Sequence, residues 1–343
     1  MHYDVITIGS ATRDTLVKSG AFKAIESADF ATGKALAVEL GSKVAVDEVF
    51  YGTWGAATNT ATTFARQGFT TAVIARVGDD VLGRAIADEM EREGAGTEWL
   101  LKDTQKPTGY SVILEHESGE RTILAYRGAN ENLRAADIPW GDIPCAWMYL
   151  SSLSGDLGIV KAAMDSASRC GARVIWNPGG TDLALGFEAL APYLKTVNVF
   201  IVNQEEASKL LGISYEDVNA VFKKFDEAID GIAVMTRGPE GVYASDGTTV
   251  WKAGIFREQR VVDRTGAGDA FGSGFAAGLM HLEVKLPLGS LTSKRIEYAL
   301  RLGSANATSK VEHWGAKGGL LTRQEFESDS RWSELSMETT MLA

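Results

Sequence analysis

Short runs of β-branched and aromatic residues alternate along most of the chain with segments whose apolar residues recur at helical spacing. The strand-like runs are residues 5–8, 72–77, 147–150, 173–176, 199–202 and 232–236. The helix-like segments are residues 56–67, 82–93, 159–170, 205–211, 215–228, 270–282 and 293–309. Because these strands are continuous, mostly apolar runs that alternate with helices, we expect an α/β fold with a mostly parallel central sheet covered by helices on both faces. Ligands of such sheets bind beyond the carboxyl ends of the strands.

Two regions interrupt this alternation and predict a second, smaller sheet. Residues 43–50 have the composition of a strand, and residues 109–127 predict a hairpin with strands at 110–114 and 121–126 around a turn at 117–120. We expect these regions to form a β-sheet lid over the ligand site, the alternative being a surface sheet without that role. The predicted organisation is an α/β domain of residues 1–14, 52–108 and 128–327, a lid of residues 15–51 and 109–127, and a loosely ordered tail of residues 328–343.

Composition and charge narrow the class of protein. The chain has 343 residues, of which 45% are hydrophobic, so it can bury a large core. Its formal net charge is -11 and it has no block of basic residues, which argues against nucleic acid as a partner. The 2 cysteines, Cys145 and Cys170, lie far apart, as is typical of proteins from a reducing compartment. The sequence shows neither a signal peptide nor a membrane-spanning stretch, so we expect a cytoplasmic protein without a membrane partner.

The most informative stretch is the glycine loop at residues 263–269, which reads Asp-Arg-Thr-Gly-Ala-Gly-Asp. It follows a strand-like segment at 260–262 and precedes the helix predicted from residue 270. Gly266 and Gly268 let the backbone approach a bulky group, and the N–H groups at a helix start favour an anion. Asp269 places a potential general base beside this anion site, which suits phosphoryl transfer to a hydroxyl group. The alternative is a tight turn in which Asp269 only caps the helix.

Polar residues follow several predicted strands at what would be one edge of the sheet. They are Asp14, Asn59, Asn177, Asn203, Glu206 and the turn Thr236-Arg237-Gly238-Pro239-Glu240-Gly241. Each is ordinary alone, because Asp and Asn cap helices and Gly and Pro form turns. Their joint placement beside the glycine loop predicts a ligand site. The signatures of P-loop proteins, dinucleotide-binding folds and protein kinases are absent.

Together these motifs resemble those of the PfkB family of carbohydrate and nucleoside kinases, also called the ribokinase-like family. Residues 263–269 are similar to its signature Asp-Thr-Thr-Gly-Ala-Gly-Asp, and residues 77–83 resemble its Val-Gly-x-Asp-x-x-Gly segment. Residues 55–59 resemble the Gly-Gly-x-x-x-Asn substrate segment, residues 203–206 match Asn-x-x-Glu, and residues 236–241 match Thr-x-Gly-x-x-Gly. The resemblance implies a ribokinase-like three-layer α/β/α domain with a central, mostly parallel sheet and a small β-sheet lid.

The resemblance also implies roles for individual residues. The catalytic groups would be Asp269, as the base for the acceptor hydroxyl, and an anion hole of the Gly266, Ala267 and Gly268 amides. The acceptor's hydroxyls would be held by Asp14, Gly55 and Asn59. The ATP site would be lined by Asn177, Thr236, Gly238, Gly241, and Ser304 or Asn306. The cation sites would be Asn203 and Glu206 for Mg²⁺, with Glu206 acting through water, and Asp263 and Thr265, which match positions that hold a monovalent cation in some members.

Two positions depart from the family pattern. Arg264 stands where a small residue is usual, and Trp54 replaces the first glycine of the substrate segment. We expect Trp54 to border the acceptor pocket, where its ring would narrow the pocket or stack on a nucleobase. The alternative is a buried tryptophan with a structural role.

The sequence therefore predicts an ATP- and Mg²⁺-dependent kinase that phosphorylates the hydroxymethyl group of a sugar, with K⁺ as a further candidate cofactor. A nucleoside kinase of the same family is almost equally supported. A catalytically silent sugar-binding regulator and an NAD-dependent oxidoreductase are the alternatives from other classes. The expected partners are the small-molecule acceptor and a second copy of the chain, which would form a homodimer through the apolar face of the lid.

Overall fold

A central sheet of eleven strands runs through the part of the chain that the structure, a computed structural model, describes: residues 2–30, 32–118, 120–141, 143–283 and 293–341. In chain order the strands are β1 (Tyr3–Ile8), β2 (Thr12–Lys18), β3 (Lys23–Glu26), β4 (Lys34–Ala37), β5 (Glu48–Trp54), β6 (Thr71–Gly78), β7 (Ala95–Gly96), β8 (Leu100–Asp103), β9 (Gly109–Glu115), β10 (Arg121–Tyr126), β11 (Cys145–Ser151), β12 (Arg173–Asn177), β13 (Val199–Asn203), β14 (Ile232–Thr236), β15 (Val242–Ser245), β16 (Thr249–Ala253) and β17 (Met337–Met341). The α-helices are α1 (Ala56–Arg66), α2 (Val81–Arg92), α3 (Leu157–Cys170), α4 (Gly180–Leu183), α5 (Phe187–Leu194), α6 (Gln204–Leu211), α7 (Val218–Ala228), α8 (Ala267–Glu283), α9 (Ser293–Val311) and α10 (Arg323–Ser328).

The central sheet is parallel over most of its width. Its order is β17-β16-β15-β14-β13-β12-β11-β1-β6-β7, and β8 also pairs with β6. The pairs from β6 through β1, β11, β12 and β13 to β14 are parallel, whereas β14, β15, β16 and β17 pair antiparallel. The mostly parallel sheet predicted from the sequence is therefore confirmed.

Helices cover both faces of this sheet because successive strand residues point to opposite sides. Val5 belongs to a buried cluster with Phe64 of α1 and Phe275 of α8. Its neighbour Ile6 belongs to a different cluster, which contains Ile159 of α3. The six predicted strands and the seven predicted helices all form, so the predicted three-layer α/β/α arrangement is also confirmed. None of the helices in the described ranges is long and apolar enough to cross a membrane.

A separate four-stranded sheet has the order β10-β9-β2-β5. Leu16 of β2 and Ile113 of β9 form a small buried cluster with Trp54 and Ala316. The predicted hairpin at 109–127 is present, but the strand predicted at 43–50 begins at Glu48 and continues to Trp54. Strands β2 and β5 thus cross the predicted domain boundaries at residues 14 and 51, and the domain division itself stays a prediction. Strands β3 and β4 form a further two-stranded sheet that the sequence pattern did not predict.

Two of the sequence predictions about local structure are wrong. The segment at 260–262 is not a strand, because the N–H groups of Val262 and Asp263 both donate to the carbonyl of Val311 at the end of α9, at 2.8 and 3.1 Å. The tail is not loosely ordered over its described part. Strand β17 pairs with β16, and Trp332 is buried with its ring edge-on to Phe256 at a centroid distance of 5.1 Å.

Candidate active site

The carboxyl ends of four neighbouring strands lie side by side. Ser151 at the end of β11 pairs with Asn177 at the end of β12, and Asn203 at the end of β13 pairs with Thr236 at the end of β14. Because parallel strands all point the same way, the loops that follow them meet at one edge of the sheet. The sequence-predicted polar residues of these strands are therefore brought together.

Asp269 lies in the first turn of α8 and is partly buried. The side-chain amide of Asn59, in α1, donates to its Oδ2 at 2.8 Å. Burial raises the pKa of the Asp269 carboxyl, and the hydrogen bond from Asn59 opposes this rise. The structure thus joins the predicted base to a residue 210 positions earlier in the chain. A carboxylate whose pKa is raised toward neutrality suits a general base.

The glycine loop has the left-handed backbone that its composition suggests, but at one glycine only. Gly266 has φ +76, and a Cβ atom there would lie 2.9 Å from the Cβ of Ala316. Gly268 has no such φ, and a Cβ atom there would meet nothing within 4 Å. A side chain would therefore strain the backbone at Gly266 but not at Gly268. The Ala267 N–H donates to the carbonyl of Arg264 at 3.2 Å, whereas Gly268 and Asp269 lie in the first helical turn, whose N–H groups lack partners within the helix.

Two cavities meet at the start of α8. The larger, of about 380 Å³, is lined by Ala56, Ser152, Asn177, Pro178, Gly179, Ile201, Val202, Asn203, Glu206, Thr236, Gly238, Gly268 and Asp269. The smaller, of about 140 Å³, is lined by Thr236, Gly238, Pro239, Gly241, Val242, Ile255, Glu258, Arg264, Ala267, Gly268, Phe271, Ser304, Ala307, Thr308 and Val311. Thr236, Gly238 and Gly268 line both cavities. An anion bound at the glycine loop would therefore lie between them.

Asn203 and Glu206 form a reciprocal cap at the start of α6. The Asn203 side chain accepts from the Glu206 N–H at 2.8 Å, and Glu206 Oε2 accepts from the Asn203 N–H at 2.8 Å. Burial raises the pKa of Glu206, and the bond from the Asn203 backbone opposes the rise. Both residues nevertheless line the larger cavity. Within the described ranges, no group of three or more His, Cys, Asp or Glu side chains could hold a metal ion.

This arrangement fits Mg²⁺ bound mainly through a nucleotide. Mg²⁺ usually keeps several waters and is held by one or two carboxylates together with substrate phosphates. Glu206 and Asp269 are the two carboxylates on the lining of the larger cavity. They could contact such an ion or its waters, and the ion would neutralise the charge of the phosphates.

The predicted nucleotide residues divide into two groups. Thr236, Gly238, Gly241 and Ser304 line the smaller cavity. Asn177 lines the larger one, although its amide also donates to the carbonyl of Ile201 at 2.9 Å. Asn306 lines neither cavity.

The Asn306 side chain is used entirely within the core. Its amide donates to the carbonyl of Ala270 at 2.8 Å, and its Oδ1 accepts from the Leu321 N–H at 2.9 Å. Asn306 therefore does not fit the predicted lining of the ATP site, whereas Ser304 lines the smaller cavity and its role there stays a prediction.

Two of the predicted acceptor-binding residues carry buried oxygen atoms without a hydrogen-bond partner. They are Oδ1 of Asp14 and Oδ1 of Asn59. Burial raises the pKa of Asp14, which also accepts from the Thr12 hydroxyl at 2.6 Å. Buried polar atoms normally have partners, so both oxygens are suited to accept hydrogen bonds from a ligand's hydroxyl groups. Gly55 is different, because it has φ +103 and a Cβ atom there would lie 2.6 Å from the carbonyl of Ser10, which gives this glycine a packing role.

Trp54 is a buried structural residue. It is 8% exposed and forms a cluster with Leu16, Ile113 and Ala316, where the small sheet meets the loop after α9. It lines neither of the two cavities. Burial in this cluster favours the structural alternative for Trp54, and its place beside the acceptor pocket stays a prediction. Arg264, the other departure from the family pattern, does line the smaller cavity.

The carboxylate of Asp263, one of the two predicted monovalent-cation residues, is already paired. Asp263 Oδ1 accepts from Arg121 Nη1 at 2.7 Å and from the Thr265 N–H at 2.8 Å, and its Oδ2 accepts from the Gly315 N–H at 3.1 Å. The buried Lys310 side chain is 3.8 Å from Oδ2. Of the predicted pair, only the Thr265 hydroxyl oxygen is buried without a partner. Asp263 therefore does not fit a site for a free cation.

The sequence analysis missed Arg121 and Lys310. Arg121 begins a strand of the small sheet, and no pattern in the hairpin singles it out. Lys310 left a weak signal, because a lysine that falls among small and apolar residues near the end of a predicted buried helix needs an anionic or carbonyl partner. The identity of that partner depends on the fold.

Comparison with known proteins agrees with these features. A sequence profile of the pfkB family carbohydrate kinases matches residues 27–323. The ribokinase of Haemophilus influenzae is 29% identical over 290 residues, which cover 81% of this chain and 86% of that protein. The solved structure of Arabidopsis thaliana ribokinase complexed with ribose and ATP has a TM-score of 0.73, with 21% identity, and the match covers 94% of this chain and 97% of that one.

Adenosine kinase from Sinorhizobium meliloti has the same fold, with a TM-score of 0.74 at 23% identity over 94% of this chain and 98% of that one. The predicted ribokinase-like fold is thus confirmed, and so is the enzyme class, a carbohydrate or nucleoside kinase. The chain belongs to the pfkB family of carbohydrate kinases, as the order of its motifs predicts.

Proposed function

We propose that this protein uses ATP and Mg²⁺ to phosphorylate the hydroxymethyl group of a sugar, with Asp269 as the general base. The observation that carries the proposal is the hydrogen bond between Asn59 and Asp269, the residue that follows Gly268, which lines both cavities. This hydrogen bond would hold the Asp269 carboxylate between a nucleotide in the smaller cavity and an acceptor on the opposite side of the carboxylate. Phosphoryl transfer needs such positioning and little covalent chemistry.

Each residue of the site has a defined part in the reaction. Asp269 accepts the proton of the acceptor hydroxyl as its oxygen attacks the terminal phosphorus of ATP. The N–H groups at the start of α8, including that of Gly268, donate hydrogen bonds to the transferring phosphoryl group. Mg²⁺ supplies positive charge at the phosphates when it is bound, and Asn203 and Glu206 would hold its water ligands.

The polar atoms near Asp269 favour a sugar over a nucleoside. Asn59, which binds Asp269, and Asp14 each offer a buried oxygen that can accept from a hydroxyl group of the acceptor. None of the described residues that line the larger cavity is aromatic, and Trp54 is buried in a separate cluster. The larger cavity therefore lacks, in its described lining, the stacking surface that a nucleobase would use.

The function is tested by a panel of sugars and nucleosides scored for ADP release, with Asp269→Asn as the inactive control. A sugar with a free hydroxymethyl group should raise ADP release well above the rate without acceptor, and its analogue lacking that hydroxyl should not. A silent sugar-binding regulator would bind the sugar without releasing ADP. Preference for a nucleoside over every sugar would contradict the proposed acceptor.

Glu206→Gln should raise the Mg²⁺ concentration for half-maximal rate by roughly 10-fold or more, as is common when an outer-shell partner of a metal is lost. Glutamine can keep the cap to the Asn203 N–H, so the helix start should stay intact. The control is Glu205→Gln, because Glu205 lies in the same helical turn but pairs with Lys209 at 2.6 Å and lines neither cavity. A Mg²⁺ titration of Glu206→Gln that matches the control would limit Glu206 to capping.

We also propose that the four-stranded sheet is the lid and forms a homodimer. Arg121 of this sheet binds Asp263 at 2.7 Å, and Phe50 stacks on Trp314 at 5.5 Å, so the sheet contacts the loops around the site. Its outer side exposes Tyr51 and Leu124, which are 70% and 56% exposed. Apolar side chains exposed this far mark a contact surface.

Leu124→Glu should convert the dimer to a monomer in sedimentation experiments, because it places a charge in the proposed contact. Leu185→Glu is the matched control, since Leu185 is 45% exposed and lies outside the lid. Wild-type protein that sediments as a monomer at the concentration of the activity assay would rule out the dimer.

A further inference from the structure

Lys310 is a fully buried lysine beside the glycine loop. Its Nζ donates to the backbone carbonyl of Asp263 at 2.6 Å and to that of His313 at 3.4 Å, and it lies 3.8 Å from Oδ2 of Asp263. The side chain is 0% exposed. Carbonyl and carboxylate oxygens of this kind are also the ligands that hard metal cations take in proteins. The ammonium therefore sits in an oxygen set that a small cation could otherwise occupy.

A second cation would find only the Thr265 hydroxyl oxygen as a free side-chain ligand there, and an unfavourable charge. The Asp263 carboxylate already binds Arg121 and the N–H groups of Thr265 and Gly315. Arg121 and Lys310 together bring two positive charges to this one carboxylate. A metal ion placed beside them would be repelled, and it would have to displace a bonded group.

We propose that the Lys310 ammonium is a built-in cation that takes the place of a bound monovalent metal ion beside the glycine loop, so that this kinase works without K⁺. The proposal rests on the proposed function. Lys310 acts as a positioning residue because it fixes Asp263. The Asp263 carboxylate in turn binds the Thr265 N–H, which lies at the start of the Gly266–Gly268 turn. It lies in α9, the same helix that places Ser304 and Thr308 on the smaller cavity.

The first test uses the wild-type protein at pH 7. Burial lowers the pKa of Lys310 to about 8, and Asp263 opposes this shift. Tetramethylammonium is the only monovalent cation in the starting buffer. KCl then replaces tetramethylammonium chloride, up to roughly 0.1 M, at constant ionic strength. ADP release should change by less than about twofold, as expected when screening is held constant. Activation of roughly 10-fold or more by K⁺, the size typical of a functional metal, would overturn the proposal.

The second test removes the charge. Lys310→Met keeps a long unbranched side chain, and Lys317→Met is the matched control, because Lys317 is also buried but pairs with Glu89 at 3.2 Å. Without K⁺, Lys310→Met should lose roughly 10-fold or more in rate, and K⁺ or NH₄⁺ should restore part of it by entering the vacated oxygen set. Full activity in Lys310→Met, or a loss in a folded variant that no cation restores, would overturn the proposal. Should Lys310→Met not fold, the wild-type titration decides alone.

Calorimetric binding of ATP separates this proposal from the proposed function. If no acceptor is phosphorylated, the proposed function fails, but the Kd for ATP can still be measured with and without K⁺. A Kd that is independent of K⁺ in the wild type and becomes K⁺-dependent in Lys310→Met supports the built-in cation. A wild-type Kd that tightens with K⁺ overturns it.

Discussion

Asp269→Asn is expected to lower kcat by about 10² to 10⁴, the usual cost of losing a general base. Asparagine keeps the shape of the side chain and can still face the Asn59 amide, which lies 2.8 Å from the carboxylate, but it cannot accept the hydroxyl proton. The melting temperature and the Kd for ATP should stay close to the wild-type values. Steady-state kinetics and calorimetry measure the two effects separately.

A control at another helix start separates catalysis from capping. Asp217 caps α7 and accepts from the Ala220 N–H at 3.0 Å, and Asp217→Asn should leave kcat unchanged. If Asp269→Asn retains more than about a tenth of the wild-type kcat, the loss is too small for a general base and the assignment is wrong.

The same assignment predicts how the wild-type rate depends on pH. Asp269 must be ionised to accept a proton, and burial raises its pKa above the usual value for aspartate. As the pH falls through this raised pKa, kcat/KM should fall with it, and above that pKa the rate should reach a plateau. The acid limb of the pH–rate profile should therefore begin at a higher pH than it would if an exposed aspartate were the base. Asp269→Asn should show no such acid limb in its residual activity.

The second large effect is expected from Gly268→Val. A Cβ atom at Gly268 meets nothing within 4 Å in the protein, so the fold should tolerate the change. The valine would instead occupy the space in which a phosphoryl group approaches the backbone at the start of α8. We expect ATP binding to weaken and kcat to fall by about 10² to 10³, as for the loss of an oxyanion donor.

Gly266→Val provides the comparison, because its defect should lie in the fold itself. Gly266 has φ +76, and its Cβ atom would lie 2.9 Å from that of Ala316. This variant should lose thermal stability as well as activity, since a left-handed conformation costs a branched residue roughly 1–3 kcal/mol before any clash. Normal ATP affinity and kcat in Gly268→Val would remove the anion site from the start of α8.

The sequence predicted the central sheet well because its strands are buried on both faces. Strands such as β1 and β13 are mostly apolar, and that pattern does not depend on which strands become neighbours. Strand β17 is the opposite case. It is an exposed edge strand whose sequence, Met-Glu-Thr-Thr-Met, has no strong pattern, and it forms because β16 offers it a pairing edge.

The site was predictable where function depends on a local motif. The cap between Asn203 and Glu206 needs only residues three positions apart, and Gly266 has the left-handed turn that a glycine-rich loop suggests. The sequence could not show that Asn306 bonds within the core or that Trp54 packs beside Ala316. Those contacts join segments that are far apart along the chain.

The surroundings of Asp263 were the hardest to predict. Its partners come from β10, the glycine loop, α9 and the loop after it, so no local pattern records them. A resemblance at Asp263 and Thr265 alone suggested a bound metal ion. The charge that we propose in its place is that of Lys310, which comes into contact with Asp263 only when α9 packs against the glycine loop.

The central claim is that a phosphoryl group passes from ATP to a sugar hydroxymethyl group, and proton-coupled phosphorus NMR of the product tests it most directly. A phosphate ester on a CH₂ group couples to two protons and gives a triplet, whereas an ester on a ring CH couples to one proton and gives a doublet. The account predicts a triplet that grows as ATP is converted to ADP in the presence of a sugar, and its disappearance with Asp269→Asn. A doublet, or inorganic phosphate as the sole new signal besides those of ADP with every sugar, would contradict it.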